Sequence, residues 1–230
     1  MEELTSLLSG NTKVLWLNYP HMPTGTPANK KAITELIALA NENGCIVIND
    51  NPYSTLLTDD YFSIFQIYGA KENCLELNSL SKSHNMSGWR IGWVSGESEL
   101  IQSILKVKSN MDSGMFLPIQ KAAISALNIS TDWIKQLNFT YSERRKVVWK
   151  ILDKLNCSYS KDKVGLFVWA SIPDKYDSAE IWINEILYNA KVFITPGFIF
   201  GSSGNKFIRV SLCNTTEVLL EALNRINNLK

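Results

Sequence analysis

Short apolar runs alternate with a helical pattern along the first half of the chain. "VLWLNYP" (Val14–Pro20) predicts a buried strand, and "CIVIND", "CLELNSL" and "RIGWVSG" predict three more. After the first strand, apolar residues at helical spacing predict a helix that is capped by Thr26, has Pro27 in its first turn and ends at Gly44. Strands and helices in this order indicate a mostly parallel sheet covered by helices.

The second half has a different order of elements. A long apolar stripe predicts one helix over Asp132–Asn156, followed by the strand "KVGLFVWASI" and a helix capped by Ser178. "KVFITPG" and "FIRVSL" predict further strands, and Asn214 with Glu217 predicts a capping box for a last helix. This change of character indicates a second domain that begins within the long helix.

Composition and charge narrow the function classes. The chain has 230 residues, of which 45% are hydrophobic, and its net charge is +1, so we expect neither a nucleic-acid nor a membrane partner. No apolar run approaches the ~20 residues of a membrane span, and "MEELTSLLSG" lacks the pattern of a signal peptide. The four cysteines form no metal-binding spacing, so we predict buried, reduced thiols, no metal site and a cytoplasmic protein.

The segment "NSLSKSHNMSGWR" (Asn78–Arg90) concentrates polar and cationic groups after a predicted strand. Ser79 offers a hydroxyl, Arg90 a planar fork suited to phosphate, and Gly88 allows close approach of the backbone. Lysines are mostly solvated surface residues, but one held near another cation loses its proton more easily and can attack an aldehyde. Lys82 beside a phosphate site therefore indicates pyridoxal phosphate.

Two further side chains come directly after the strand "CIVIND". Asp50 and Tyr53 lie three residues apart in "NDNPY", which is also ordinary turn chemistry. A carboxylate near a pyridine nitrogen keeps that nitrogen protonated and strengthens the cofactor as an electron acceptor. Asn18 follows the first strand, and the carboxyl ends of parallel strands are where such sheets bind ligands.

From "NYPHMPTG" to "FIRVSLCN" the chain resembles the class I/II aminotransferases, which are pyridoxal-phosphate enzymes of fold type I, and "SLSKSHNMSGWRIG" resembles their lysine signature. The resemblance implies an α/β fold: residues 1–135 form the later part of a large, mostly parallel cofactor-binding domain, and residues 136–230 form a smaller α+β C-terminal domain. It also implies a homodimer.

The resemblance implies a role for each candidate residue. Lys82 would bond to the aldehyde of the cofactor and carry a proton between the substrate's alpha carbon and the cofactor. The other residues would contact cofactor or substrate: Ser79 and Arg90 the phosphate, Asp50 the pyridine nitrogen, Tyr53 and Asn18 the ring hydroxyl, and Arg209 the substrate carboxylate.

Two departures from the family pattern change the expectation. Met22 stands in "MPTG" where the family usually has an asparagine that hydrogen-bonds the ring hydroxyl. Family members are also usually much longer, and the part before residue 1 supplies a helix N-terminus for the phosphate. We therefore expect this chain alone to be weakly active or inactive.

Three functions stay open at this stage. The first is transfer of an amino group between an amino acid and a 2-oxo acid through pyridoxal phosphate, with the particular amino acid undetermined. The others are a pyridoxal-phosphate lyase of the same fold and a truncated module without activity. His21 and His84 match no family role and are interpreted as loop histidines.

Overall fold

The computed structural model describes residues 2–8 and 11–229, which fold into two compact units. The first comprises Met1–Pro20 and Pro27–Ile134, and the second comprises His21–Thr26 and Lys135–Lys230. The sequence pattern did not predict that the segment His21–Thr26 belongs to the second unit. The predicted limit at residues 135/136 between a large and a small family domain stays a prediction.

The sheet of the first unit has the order β1-β2-β3-β4. These strands are β1 (Val14–Leu17), β2 (Ile46–Asp50), β3 (Cys74–Ser79) and β4 (Gly92–Gly96). Strands β1, β2 and β3 pair in parallel and β4 pairs antiparallel to β3, which confirms the predicted mostly parallel sheet. The helices of this unit are α1 (Glu2–Leu7), α2 (Lys30–Glu42), α3 (Ala70–Asn73), α4 (Leu80–Ser83), α5 (Ser98–Met111) and α6 (Leu117–Leu127).

Two predictions about the first elements are wrong. Strand β1 is buried on one face only: Leu15 and Leu17 pack against the core, whereas the alternate side chains of Val14 and Trp16 are 45% and 61% exposed. Helix α2 is capped by Asn29, whose Oδ1 accepts from the Ala32 amide at 3.1 Å. Thr26 cannot cap it, because its main chain pairs with His21 instead.

The second unit contains an antiparallel sheet of order β5-β6-β8-β7. Its elements are α7 (Asp132–Lys154), β5 (Ser158–Tyr159), β6 (Phe167–Ser171), α8 (Ala179–Ala190), β7 (Thr195–Pro196), β8 (Phe207–Ser211) and α9 (Thr216–Asn227). The first three residues of α7 belong to the first unit, which ends at Ile134. Ser178 caps α8 as predicted. Helix α9 is capped by Thr215 rather than Asn214, because the Thr215 hydroxyl accepts from the Val218 amide.

The prediction of buried, reduced cysteines is correct for three of the four cysteines. All four are free thiols, and Cys45, Cys74 and Cys157 are buried. Burial raises the pKa of Cys74 and of Cys157 to about 12, so these thiols stay protonated and unreactive at neutral pH. Cys213 is exposed, so the prediction of burial is wrong for this residue.

Residues 104–129 of the first unit expose many large apolar side chains to solvent. Helix α5 has no buried residue, although its sequence is amphipathic. Strongly exposed side chains include Leu105, Val107, Met111, Phe116, Leu117, Ile124 and Leu127. No described helix is both long and apolar enough to cross a membrane. Exposed apolar patches of this kind mark surfaces that contact other protein, so we call residues 104–129 the α5–α6 surface.

We expect the isolated chain to self-associate through the α5–α6 surface. In sedimentation velocity at tens of micromolar, the wild type should form dimers or larger species. The double variant Met111→Lys, Phe116→Ser should shift at least half of that mass to single chains, because it removes two apolar side chains that are 76% and 68% exposed. Lys121→Gln, an exposed change on α6, is the matched control. A wild-type chain that stays monomeric at every concentration would contradict this expectation.

Candidate active site

Three polar residues meet at the carboxyl edge of the parallel strands. Asn18 follows β1 directly, Asp50 is the last residue of β2, and Ser79 is the last residue of β3. The Nδ2 of Asn18 donates to the main-chain oxygen of Asp50 at 2.7 Å, which ties the first two strand ends together. The Nδ2 of Asn78 donates to the main-chain oxygen of Asn51 at 3.2 Å, which ties the second to the third.

Asp50 carries the acidic group of this edge. Its side chain is half-buried, and burial raises the pKa of the carboxyl group above its usual value. Within the described part of the chain, no side chain donates a hydrogen bond to this carboxylate. A half-buried carboxylate of this kind is stabilised by a cationic partner, and a protonated pyridine nitrogen is one.

Lys82 lies on the short helix α4, directly after β3. Ser79 caps this helix: its Oγ accepts from the Ser81 amide at 3.1 Å and donates to the Ile91 oxygen at 3.4 Å. Leu80 is 1% exposed and anchors α4 in a small apolar cluster with Met86, Ile91, Ala123 and Ala126. The half-exposed Lys82 is therefore held two residues beyond a fixed anchor, close to the end of β3.

Arg90 is exposed and adopts the left-handed conformation, with φ of 52°, which is uncommon for a residue other than glycine. Its Nη1 donates to the Ser87 oxygen at 2.8 Å. The next residue, Ile91, accepts from the Leu80 amide at 3.3 Å, so the chain carrying Arg90 is tied to the start of α4. After it, a Cβ on Gly92 would come within 2.4 Å of the Asn78 oxygen, so this close strand pairing requires glycine.

The turn that carries Tyr53 is fixed by Asn51, which the sequence reasoning missed. Asn51 is 2% exposed, its Nδ2 donates to the Phe62 oxygen at 2.8 Å, and its amide donates to the Leu77 oxygen at 2.8 Å. Tyr53 itself is half-buried. The only sequence signal for Asn51 was its place after a strand, which ordinary turn chemistry explains equally well.

The two histidines lie in different units. His84, in the first unit, lies within 2.8 Å of the Ser83 hydroxyl. Burial lowers its pKa, against an opposing hydrogen bond with the main chain of Ala126, so His84 is neutral at neutral pH. His21, in the second unit, has its Nδ1 2.7 Å from the hydroxyl of Thr24. Their interpretation as loop histidines stays a prediction.

Arg209 lies on β8 of the second unit, while the other six candidate residues lie in the first. Its guanidinium carbon is 4.0 Å from the ring centroid of Phe167 and 4.3 Å from that of Phe200. Arg209 also lines a cavity of about 590 Å³, together with Thr195 and Ser211. Stacking on aromatic rings fixes the plane of a guanidinium, which suits it to hold a carboxylate through two parallel hydrogen bonds.

Met22 belongs to a loop that packs within the second unit. Gly25 has φ of 67°, and its oxygen accepts from the Val164 amide at 2.8 Å. A Cβ on Gly25 would lie 2.6 Å from the Val164 oxygen, so only glycine fits this contact. The thioether of Met22 has no hydrogen to donate, so Met22 cannot provide the hydrogen bond that the usual asparagine would make.

The fold and the match to a family model define the class of protein. The chain belongs to the family described as aminotransferase class I and II, whose model matches residues 1–226. This family membership confirms the resemblance seen in the sequence.

Particular relatives are similar to the whole of this chain. LL-diaminopimelate aminotransferase of Aquifex aeolicus is 37% identical, with 100% of this chain and 60% of the relative covered. The enzyme of the same name from Dehalococcoides mccartyi is 39% identical, over 95% of this chain and 56% of the relative.

Solved structures give the same result. An aromatic aminotransferase from Pyrococcus horikoshii superimposes with a TM-score of 0.88 and 30% identity, over 98% of this chain and 61% of that one. A probable N-succinyldiaminopimelate aminotransferase from Thermus thermophilus gives 0.87 and 30%, over 100% and 61%. These similarities confirm the predicted α/β fold of fold type I. The chain spans about three fifths of the length of these relatives.

Proposed function

We propose that this protein takes part in transferring an amino group between an amino acid and a 2-oxo acid with pyridoxal phosphate as cofactor. The observation that carries the proposal is the arrangement of Lys82, Asp50 and Asn18 at one edge of the parallel sheet in a chain of this family. When bound, pyridoxal phosphate supplies an aldehyde that takes up the amino group and a pyridine ring that withdraws electrons from the reacting carbon.

The residues that we propose to contact the cofactor have side chains that suit pyridoxal phosphate. The half-buried carboxylate of Asp50 would pair with the pyridine nitrogen, and the hydroxyl of Tyr53 would contact the ring hydroxyl together with Asn18. The guanidinium of Arg90 uses one donor on Ser87 and has four left, which suits it, with the Ser79 hydroxyl, to hold the phosphate.

Lys82 would do the proton transfer. Its amine would hold the cofactor through the aldehyde carbon, with loss of water, and would be the base that takes a proton from the substrate's alpha carbon and gives it back. The buried side chain of Leu80 anchors α4 in its apolar cluster, which fixes the main chain that carries the amine of Lys82.

The isolated chain is proposed to hold the cofactor weakly. Ser79 and Arg90 would be only part of the phosphate cradle, because the chain spans about 60% of its relatives' length. Each missing charged hydrogen bond costs about 1.5–3 kcal/mol, so two missing donors lower the affinity a hundredfold or more. A module without activity is therefore the second candidate for this chain.

The substrate of the whole enzyme is proposed by similarity alone. Relatives 37–39% identical to the chain are named LL-diaminopimelate aminotransferases, so LL-diaminopimelate is the first amino acid to test. The partners in the reaction would be this amino acid and a 2-oxo acid, and the protein would act as a homodimer in the cytoplasm.

A cofactor titration separates the two candidate functions. Pyridoxal phosphate bound to a lysine has its own visible absorbance, and a transferring enzyme converts it to pyridoxamine phosphate when an amino acid is added. Conversion that depends on the amino acid supports transfer. Absorbance without conversion supports the inactive module, and no absorbance change at saturating cofactor contradicts amino-group transfer by this chain.

Replacing Arg209 with lysine should weaken amino-acid substrates at least tenfold and pyridoxal phosphate less than threefold. An ammonium cannot reproduce the two parallel hydrogen bonds of a guanidinium, and it stacks less well between Phe167 and Phe200. The measurement is the dissociation constant of each ligand by absorbance titration. Arg145→Lys, at an arginine that stacks on Trp149 and does not line this cavity, is the matched control. Equal losses for both ligands in Arg209→Lys would point to a structural role.

A further inference from the structure

A buried polar pair lies between β2 and β3, next to the sheet edge that carries the candidate site. The side chain of Asn49 is 0% exposed and that of Glu76 is 4% exposed. The two residues are direct partners in the register of these parallel strands. Buried polar groups cost free energy unless they are hydrogen-bonded, so the bonds of this pair indicate what it does.

Glu76 orients the side-chain amide of Asn49. Its Oε2 accepts from the Ile64 amide at 2.8 Å and from the Nδ2 of Asn49 at 3.3 Å. Throughout the part of the chain that the structure describes, no lysine, arginine or histidine forms an ion pair with Glu76. Because a carboxylate only accepts hydrogen bonds, it fixes which end of the Asn49 amide is the NH₂ group and leaves Oδ1 as the acceptor for another donor.

Asn49 in turn holds the main chain of Tyr19 at two points. Its Oδ1 accepts from the Tyr19 amide at 2.9 Å, and its Nδ2 donates to the Tyr19 oxygen at 3.2 Å. The pairing between β1 and β2 ends with Leu17 and Asn49, so Tyr19 lies beyond the last ladder pair. One side chain therefore continues the pairing where the strands stop.

Each of the two residues in this contact, Asn49 and Tyr19, is next in sequence to a candidate site residue. Asn18 precedes Tyr19, Asp50 follows Asn49, and the Nδ2 of Asn18 donates to the Asp50 oxygen at 2.7 Å. We propose that Asn49 and Glu76 are positioning residues that hold Asn18 and Asp50 side by side for the cofactor. The role toward the cofactor rests on the proposed function, whereas the hold on Tyr19 does not.

The chemistry of Asn49 and Glu76 indicates that the pair positions the main chain rather than raising the free energy of unfolding. A buried carboxylate without a cation loses hydration that neutral donors replace only in part, and apolar residues of similar volume at such places often stabilise a protein. What apolar residues cannot do is bond the amide and the oxygen of Tyr19. A directional clamp is the function that this polar pair serves and an apolar pair would not.

The first test follows amide hydrogen exchange by NMR in the whole chain, without cofactor. Glu76→Met keeps the length of the side chain but leaves the Ile64 amide and Asn49 without their acceptor, so the Tyr19 amide should exchange at least tenfold faster, measured relative to the amides of β2. Glu76→Gln keeps one acceptor oxygen and should stay within threefold of wild type. Tyr19 exchange that is the same in Glu76→Met and wild type would overturn the proposal.

The second test measures the affinity for pyridoxal phosphate by absorbance titration. Glu76→Met should bind at least tenfold more weakly than wild type, while Glu76→Gln stays within threefold. Ile37→Ala, which lowers stability at a buried residue of the same unit outside the pair, should also stay within threefold. Unchanged affinity in Glu76→Met would overturn the role toward the cofactor.

The two tests separate this proposal from the proposed function. If the wild-type chain takes up no cofactor, the proposed function fails for the chain, and Tyr19 exchange still decides whether the pair holds the segment. If Glu76→Met does not fold, Asn49→Ser replaces it, because serine is too short to bond both main-chain groups of Tyr19. Faster Tyr19 exchange in Asn49→Ser supports the clamp, and wild-type exchange overturns it.

Discussion

Replacing Lys82 with arginine is expected to lower amino-group transfer at least a thousandfold, which corresponds to about 4 kcal/mol of barrier. Arginine keeps the positive charge, but its guanidinium stays protonated and can neither attack an aldehyde nor remove a proton. The measurement is the single-turnover rate of conversion of the cofactor by an amino acid, with the part of a relative that this chain does not cover supplied as a separate polypeptide.

The matched control for this change is Lys121→Arg on helix α6, where the lysine is exposed and has no proposed role. It should leave the rate within a factor of about two of wild type. Lys82→Arg should also unfold at the same urea concentration as wild type, because Lys82 is half-exposed and the anchor of α4 is Leu80. A rate above a tenth of wild type in Lys82→Arg would rule out Lys82 as the residue that transfers the proton.

Replacing Asp50 with asparagine is expected to lower the same rate about a hundredfold while leaving the fold intact. An amide is neutral, so it cannot keep the pyridine nitrogen protonated, and the cofactor withdraws electrons less strongly. The substitution preserves the shape of the side chain and leaves the main-chain oxygen that accepts from Asn18. A rate within a factor of about three of wild type would contradict the proposed role of the carboxylate.

The pKa of Asp50 gives this variant a second expected result. Burial raises the pKa of Asp50 in the folded chain above its unfolded value, so the folded state binds the proton more tightly. The contribution of Asp50 to stability is therefore present at acidic pH and is lost as pH rises through the unfolded and then the folded pKa. Urea unfolding at several pH values should show Asp50→Asn gaining stability relative to wild type between acidic and neutral pH.

The order of elements and the edge that carries the candidate site were predictable, because short apolar runs separated by turn residues define strands and fix their carboxyl ends. The exposure of Val14 and Trp16 was not predictable, since it depends on whether other parts of the fold cover that face of the sheet. The cap of α2 was assigned to Thr26 because nothing in the sequence shows that His21 pairs with its main chain.

The residues that support the site were harder to find than the residues in it. Asn49 lies within β2 and Glu76 within β3. Side chains alternate between the two faces of a strand, and a polar residue at such a position ordinarily faces water. Their partners, the half-buried Tyr19 and the buried Ile64, are 30 and 12 residues away in sequence, so only the folded sheet brings them together. Lys82 and Arg90 were easier, because their segment lies in one short stretch whose residue types suit a phosphate and an aldehyde.

The most direct test of the central claim, that Lys82 lies in a pyridoxal-phosphate site, is peptide mapping after borohydride reduction of the chain with the cofactor. The part of a relative that this chain does not cover is supplied as a separate polypeptide. Reduction fixes the cofactor irreversibly on the lysine that holds it, and mass spectrometry identifies the labelled peptide. We predict the label on Lys82 and its loss in Lys82→Arg. A label on another lysine, or no label at all, would contradict the assignment of this site.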